Sequence, residues 1–152
     1  MRANSSLLSL CTECYYVLRM LLVKTKVGPS QIEGLGLFAD EFIAKGTAYW
    51  EFEPTFDQTK TAEEIAALPT LAREYWEHFA YESAHTGRYI LCGDNCRFMN
   101  HAEDANIIET EERKNSEEVN RAARDIQPGE ELTVNYFKFG DPVTFVPRVA
   151  GA

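Results

Sequence analysis

The chain has 152 residues, 45% hydrophobic and 26% charged, with 15 basic against 24 acidic side chains and a formal net charge of −9. That length fits one domain with a core of its own. The acidic balance argues against direct nucleic-acid binding, which needs a basic footprint, and suits a Lys/Arg-rich protein partner.

The opening residues read as foreign to the rest of the chain. Met20-Leu21-Leu22-Val23-Lys24-Thr25-Lys26-Val27 is a fresh start: a methionine, then a strand with β-branched residues. Met1–Arg19 is therefore expected to be an upstream extension, 20–141 the domain and 142–152 a C-terminal flank. The rival for the first segment is an N-terminal helix, because Leu7, Leu10, Cys14, Val17 and Leu18 fall near helical spacing. The apolar run from Ser5 to Cys11 is too short to span a bilayer and no small-residue cleavage site comes after it, so a soluble, cytoplasmic protein is expected.

Gly28-Pro29-Ser30 predicts a turn, Gly34 to Ala39 a glycine-hinged strand, Lys45-Gly46-Thr47 a second turn and Ala48 to Phe52 an aromatic strand. Thr61-Ala62-Glu63-Glu64 predicts a capping box opening a short helix to about Leu68. Thr70 is expected to cap a second helix through Phe79, with Leu71, Tyr75 and Phe79 as its apolar face. After Tyr81 the chain returns to strands, with a turn at His85-Thr86-Gly87, a strand at Arg88–Leu91 and a turn at Gly93-Asp94-Asn95. Glu109 to Glu118 is charge-rich and predicts an exposed hairpin tip or a solvated loop. Gln127-Pro128-Gly129-Glu130 is a turn, and Leu132, Val134 and Tyr136 then alternate as in a strand. The expected class is mainly β with a short helical insert.

The four cysteines form two short spacings, Cys11/Cys14 and Cys92/Cys96. A shared zinc site would need unlike spacings from distant segments, so ordinary buried thiols in a reducing compartment are the reading preferred, with no metal expected.

An Asn-His pair inside a mostly apolar run, Arg97-Phe98-Met99-Asn100-His101, is unusual on polarity grounds. Buried, those two side chains must find partners or cost roughly 1–3 kcal/mol. Either the protein satisfies them or a ligand does. Taken singly, the features are bland. Gly34-Leu35-Gly36 alone is a bulge or turn, Glu130-Glu131 a solvated turn, and Tyr136 an ordinary strand aromatic.

In combination they are specific. Gly-x-Gly-Leu-Phe at Gly34, then Arg-Phe-x-Asn-His with Asn106 five residues beyond His101, then Gly129-Glu130-Glu131-Leu132-Thr133-Val134-Asn135-Tyr136, resembles the SET-domain family of protein lysine methyltransferases. The resemblance covers roughly Leu22 to Asp141. It implies a β-clip-like fold of several small sheets, with the Asn-His segment threaded against the final Tyr segment in a knot-like crossing. It further implies S-adenosyl-L-methionine on one face and a target lysine entering a narrow channel from the other. On that resemblance Gly34, Leu35, Gly36, Phe98, Asn100 and His101 would hold the cofactor, as would Tyr81. Tyr136 would stand at the methyl-transfer point. Phe52, Phe137 and Phe139 would line the lysine channel. The partner would be a protein presenting a lysine in a basic segment, with neither nucleic acid nor membrane involved.

The implied chemistry is an in-line displacement, so catalysis is mainly alignment. The lysine, at a reference pKa of about 10.4, must first lose its proton, which an apolar aromatic channel favours. The departures from the family pattern are Ala102 and Ala105, where Ser and Pro are usual, and Glu103, where many nuclear members carry a cysteine. No cysteine follows Cys96, so a zinc-bound lid after the final tyrosine cannot be built from this sequence. Two functions remain: an active methyltransferase, favoured by Asn100, His101 and Tyr136, and a catalytically silent SET-like module that binds a peptide or partner.

Overall fold

A computed structural model describes residues 21–138. The expected extension 1–19, Phe139 and the flank 142–152 lie outside the described residues.

Twelve short strands and two helices occupy this span. The first sheet joins β1 (Thr25–Pro29), β2 (Leu35–Ala39), β12 (Glu131–Val134) and β7 (Asn100–His101), in that order. The β1–β2 hairpin runs from Thr25↔Ala39 to Pro29↔Leu35. Gly28 and Pro29, expected in a turn, thus belong to the strand, and the chain reverses over residues 30–34 instead. Proline is tolerated there because β1 is an edge strand. Ser30 organises the reversal: its backbone N–H donates to the Gly34 carbonyl at 3.0 Å and its hydroxyl accepts the Ile32 N–H at 2.8 Å. Gly34 takes φ +47°, which a side chain would disfavour.

β12 pairs antiparallel with β2, setting Leu132 opposite Leu37, both fully buried. On its other side it pairs parallel with β7, Thr133↔Asn100 and Val134↔His101. Sequence distance is thereby collapsed, and the two unusual motifs lie side by side. The strand ends at Val134. Tyr136 opens a 3-10 turn, Tyr136–Lys138, instead of continuing the expected alternation.

A second sheet orders β3 (Ala48–Trp50), β11 (Asn120–Ala122) and β8 (Ile107–Ile108). A third orders β4 (Gln58–Lys60), β6 (Tyr89–Leu91) and β5 (Tyr81–Glu82). The small hairpin of β9 (Arg113–Lys114) and β10 (Glu117–Glu118) turns through Asn115 and Ser116, both at positive φ, as a tight primed hairpin turn requires. The charge-rich segment does form a hairpin, but it is not wholly solvated: Glu117 is 6% exposed and accepts the Ser83 hydroxyl at 2.9 Å.

The main core gathers Leu37, Ile43, Tyr49, Trp50, Ile90, Ile107, Ile126 and Leu132, all nearly or fully buried. A smaller one holds Ile65, Trp76 and Leu91 under the helical insert. In α1 (Ala62–Ala66) the capping box forms as expected, Glu64 N–H to the Thr61 hydroxyl and Thr61 N–H to the Glu64 carboxylate. In α2 (Thr70–Phe79) the expectation fails in two ways. Pro69 occupies the cap position and no side chain caps the helix. The buried face is carried by Trp76, while Leu71 is 81% exposed. Trp76 and Phe79 carry the inward contacts, because the largest apolar side chain rotates the helix toward the α1 core.

Candidate functional site

The site grows from β2, β7 and β12. Asn100 is half-buried on β7, and its amide N–H2 donates to the Glu131 carboxylate at 2.8 Å and to the Glu33 and Leu35 carbonyls at 3.1 and 3.2 Å. The same carboxylate accepts the Ser30 hydroxyl at 2.8 and 3.0 Å. Gly36 makes room for this arrangement. A Cβ there would stand 2.2 Å from Glu131 Oε1. The second glycine of Gly34-x-Gly36 thus leaves the space that the Glu131 carboxylate occupies, and a side chain there would have to displace it. Glu131, read from sequence as part of a solvated turn, is instead the hub that fixes Asn100. The missed signal was its register: the residue pairs with Phe38 on β2, two residues from Gly36 and so on the same face of the sheet.

With its donors satisfied internally, Asn100 has its carbonyl oxygen to offer a ligand. Beside it, Gly34 and Leu35 are exposed, and nothing lies within 4 Å of a Cβ built on Gly34. An exposed backbone next to an acceptor oxygen is a cradle for the ammonium end of an amino-acid-like group. The residues present therefore fit S-adenosylmethionine at this edge.

Asn106 is a structural counterpart. It is 4% exposed, its side chain donates to the Glu131 carbonyl at 2.8 Å, and it accepts the Thr133 N–H at 2.9 Å, pinning β12 in register.

His101 accepts the Tyr136 backbone N–H at Nδ1, 3.1 Å away. A neutral ring in that bond carries its proton on Nε2. The ring lies 5.4 Å from that of Tyr136 and 5.0 Å, edge-on, from that of Phe137. The Tyr136 hydroxyl donates to the Met99 carbonyl at 2.5 Å. Burial, then the charges of Glu33 and Cys96, push its pKa up to about 12. It is a neutral phenol whose proton is committed to Met99 and whose oxygen is an acceptor.

Tyr136 and Phe137 also line a cavity of about 570 Å³, together with Trp50, Trp76, Tyr81 and Met99. The cavity separates the helical insert from β12. Tyr81 stands on this wall, its hydroxyl held well above the ordinary range chiefly by burial. Phe52 does not stand on it. It is 8% exposed in the main core, and its carbonyl accepts Asn115 Nδ2 at 2.9 Å. Phe98 packs edge-on to Phe79 at 5.8 Å, with the Arg97 guanidinium 4.9 Å from its ring. Trp50 and Met99 are cavity residues that sequence reasoning did not single out, and Cys96, read there as an ordinary thiol, joins them on the wall. Among the described residues no group of three or more His, Cys, Asp or Glu side chains is placed to hold a metal. No described helix is long and apolar enough to cross a membrane.

Similarity to known proteins agrees with this geometry. The SET domain profile matches residues 34–137. The humanized mutant of Chaetomium thermophilum Polycomb Repressive Complex 2 bound to an inhibitor superposes at TM-score 0.58 with 29% identity, over 78% of this chain and 15% of that one. The same type of complex in an autoinhibited conformation bound to S-adenosylmethionine superposes at TM-score 0.57 with 27% identity, over 77% of this chain and 15% of that one. A Plasmodium falciparum protein shares the fold at TM-score 0.55 and 20% identity, over 75% of this chain and 93% of that one. The chain thus spans about 15% of the length of the Polycomb chains it matches. No curated protein matches it. The profile spans more than half of the chain and lies over the glycine hairpin, the Asn-His strand and the final tyrosine: the chain belongs to the SET-domain family.

Proposed function

We propose that the protein is an S-adenosylmethionine-dependent protein-lysine N-methyltransferase whose substrate lysine enters the 570 Å³ cavity and meets the cofactor beside Tyr136. The observation that carries this reading is the position of Tyr136 and Phe137, which touch the polar edge through His101 and the aromatic cavity through their own rings. S-adenosylmethionine, when bound, supplies a methyl group activated by the adjoining sulfonium.

The protein's part is binding, alignment and desolvation. Gly34 and Leu35 present backbone, and Asn100 its amide oxygen, to the amino-acid portion. His101 offers a polar ring edge to the remainder, and Phe137 an aromatic wall to the lysine channel. Gly36 acts indirectly, by admitting Glu131, and Phe98 by packing edge-on against Phe79 of α2. Tyr81, Trp50, Trp76 and Met99 surround the incoming amine with apolar and aromatic surface, which disfavours the ammonium and lowers its pKa. Phe52 supports that wall from the core. Tyr136, its proton donated to Met99, accepts a hydrogen bond from the amine and holds its lone pair in line. A phenol with a pKa of about 12 does not serve as general base near neutrality. The acidic balance of the chain suits a lysine within a basic segment.

The test is calorimetric titration of the full chain with S-adenosylmethionine, with His101→Ala as control, followed by transfer of labelled methyl to a lysine in a basic peptide. Binding without transfer would favour the silent peptide-binding module. No binding at millimolar cofactor would exclude the enzyme.

A further inference from the structure

The proposed chemistry leaves one proton without a receiver, the one that the incoming ammonium must lose. Tyr136 does not take it, since its phenol is neutral and its own proton is committed to Met99. Two cavities meet at a shared wall here. Trp50, Tyr81, Glu82 and Asn120 line both the 570 Å³ cavity and a smaller one of about 140 Å³. Trp50 is 2% exposed, and its indole Nε1–H is buried with no hydrogen-bond partner in the protein. Among the described residues it is the only buried side-chain nitrogen or oxygen in that state. An unmet buried donor costs about 1–3 kcal/mol, which a bound acceptor recovers. The smaller cavity supplies the complement. Glu109, Glu117 and Glu118 line it with Glu82, against His85 and Lys138 as its cations. Glu117 accepts the Ser83 hydroxyl at 2.9 Å, and Glu118 bonds His85 at 2.7 Å. A buried water needs two to four polar partners and about 10–15 Å³ of space. An indole donor on the wall and carboxylate acceptors beyond it meet the first need, and a cavity of about 140 Å³ exceeds the second.

We propose that the smaller cavity is the proton exit of the site: water held on the Trp50 indole N–H passes the proton of the incoming lysine ammonium to the Glu109 carboxylate. The proposal rests on the methyltransferase reading of the larger cavity. One N–H bond of the ammonium breaks as its hydrogen forms an O–H bond to the water. Another O–H bond of that water breaks in turn, and its hydrogen ends on a Glu109 carboxylate oxygen. The water is regenerated, and nothing is oxidised or reduced. The nitrogen keeps the electron pair with which it attacks the methyl carbon. Neutralising Glu109 relieves its repulsion from Glu82, Glu117 and Glu118 across the cavity, which favours the transfer. Burial, then Glu118 and Glu117, push the Glu109 carboxyl up to about 8, so it holds a proton near neutrality as a carboxyl at 4.5 does not. His85 and Lys138 pull the other way, and His85 is engaged by Glu118. Tyr81, the remaining titratable group on the shared wall, stays a neutral phenol through burial. Glu109 gives the proton up to solvent between turnovers.

The experiment uses the full chain, isotope-labelled at nitrogen, and has two readouts. The first is a magnetic-resonance cross-peak between a long-lived water and the Trp50 indole N–H. The chain has two tryptophans, so Trp76→Phe, or Trp50→Phe where the former does not fold, identifies the resonance. The cross-peak is expected in the parent protein. The second readout is methyl transfer to a lysine in a basic peptide as a function of pH. The parent should show a rising limb at about 8. Glu109→Gln should lower kcat at about pH 7.5 by about tenfold or more, move the limb upward and close most of the gap by about pH 10, where solvent takes the proton. KM and cofactor affinity should be little changed. Glu109→Asp, which keeps a carboxylate, should recover part of the rate. The proposal is overturned by an indole N–H that meets no water, or by a Glu109→Gln variant whose rate is unchanged or reduced by the same factor at every pH. A parent that binds no cofactor and transfers no methyl overturns the methyltransferase reading and the proton exit with it. A parent that transfers methyl while Glu109→Gln keeps its pH profile overturns the proton exit alone.

Discussion

The two sides of Tyr136 are built on opposite principles. On the β2–β7–β12 side, polar groups are satisfied within the protein: Asn100, Glu131, Ser30 and two backbone carbonyls form one closed set. On the helical-insert side, aromatic and apolar side chains, Trp76 and Ile65 among them, line a 570 Å³ cavity. Such a network resists rearrangement, because any shift strands a desolvated donor or acceptor. Apolar packing makes no such directional demand and varies with side-chain volume. A polar cofactor of fixed shape suits the first, and an amine that must be desolvated suits the second. Mutations should therefore separate the sides, with stability and substrate handling changing on one and cofactor affinity on the other.

The largest expected effect is Trp76→Ala. The residue is 5% exposed and anchors α2 to the smaller core, so its removal should cost about 3–5 kcal/mol in denaturant unfolding. Cofactor affinity at a temperature where the protein stays folded should be unchanged. Equal damage to both would mean that the two sides are one cooperative unit. Next is Tyr136→Phe, which removes the hydroxyl and leaves the ring on His101. Methyl transfer should fall about 100-fold or more, with cofactor affinity little changed. The pH–rate profile of the parent protein should show no limb from this tyrosine below about 12, since burial holds the phenol neutral. A proportional loss of rate and affinity would make Tyr136 a structural residue. Third is Gly36→Ala. Its Cβ would meet Glu131 Oε1 at 2.2 Å, forcing the carboxylate from Asn100. The half-buried groups set free can still reach water, so the loss should be about 1 kcal/mol, with weaker cofactor binding, whereas apolar packing around the cavity should be untouched.

The polar side was the more legible in sequence, for a physical reason. An Asn-His pair in an apolar run, a glycine pair and a strand leading to a tyrosine each break the local pattern, and breaks in pattern carry information. Even so, the partner that explains Gly36 was missed. Glu131 looks like a turn residue until the β12–β2 register sets it opposite the glycine strand, and register between segments so distant in sequence is not a local property. The capping box at Thr61 was legible because it is local. The face of α2 was not, because Leu71, Tyr75 and Phe79 satisfy helical periodicity as well as Trp76 and Phe79 do, and only packing against Ile65 decides between them. The cavity was illegible for the same reason: Trp50, Trp76, Met99 and Cys96 come from separate segments that share no local periodicity.

The smallest effect concerns a third region, where the comparison can be sharpened by pH. Beside the main cavity lies a smaller one of about 140 Å³, where Glu109, Glu117 and Glu118 meet His85, Glu82 and Lys138. His85 bonds Glu118 at 2.7 Å. Burial, then the neighbouring Glu118 and Glu117, push the Glu109 carboxyl up to about 8 from an ordinary 4.5. A carboxyl raised in the folded state binds its proton more tightly there than in the unfolded chain. Its favourable contribution is complete below about pH 4.5 and is lost as pH rises through about 8. Across that window the unfolded chain gives up the proton first, so this group makes stability fall with rising pH. Glu109→Gln should flatten that fall and make the protein more stable than the parent above pH 8, as read from unfolding midpoints across the range. The gain should be modest, since the carboxyl is partly open to water and screened. A variant that loses stability at high pH would show that Glu109 is paired in its charged form. The crowded acidic cavity would then be a second closed polar set like that around Asn100, and not a site of uncompensated charge.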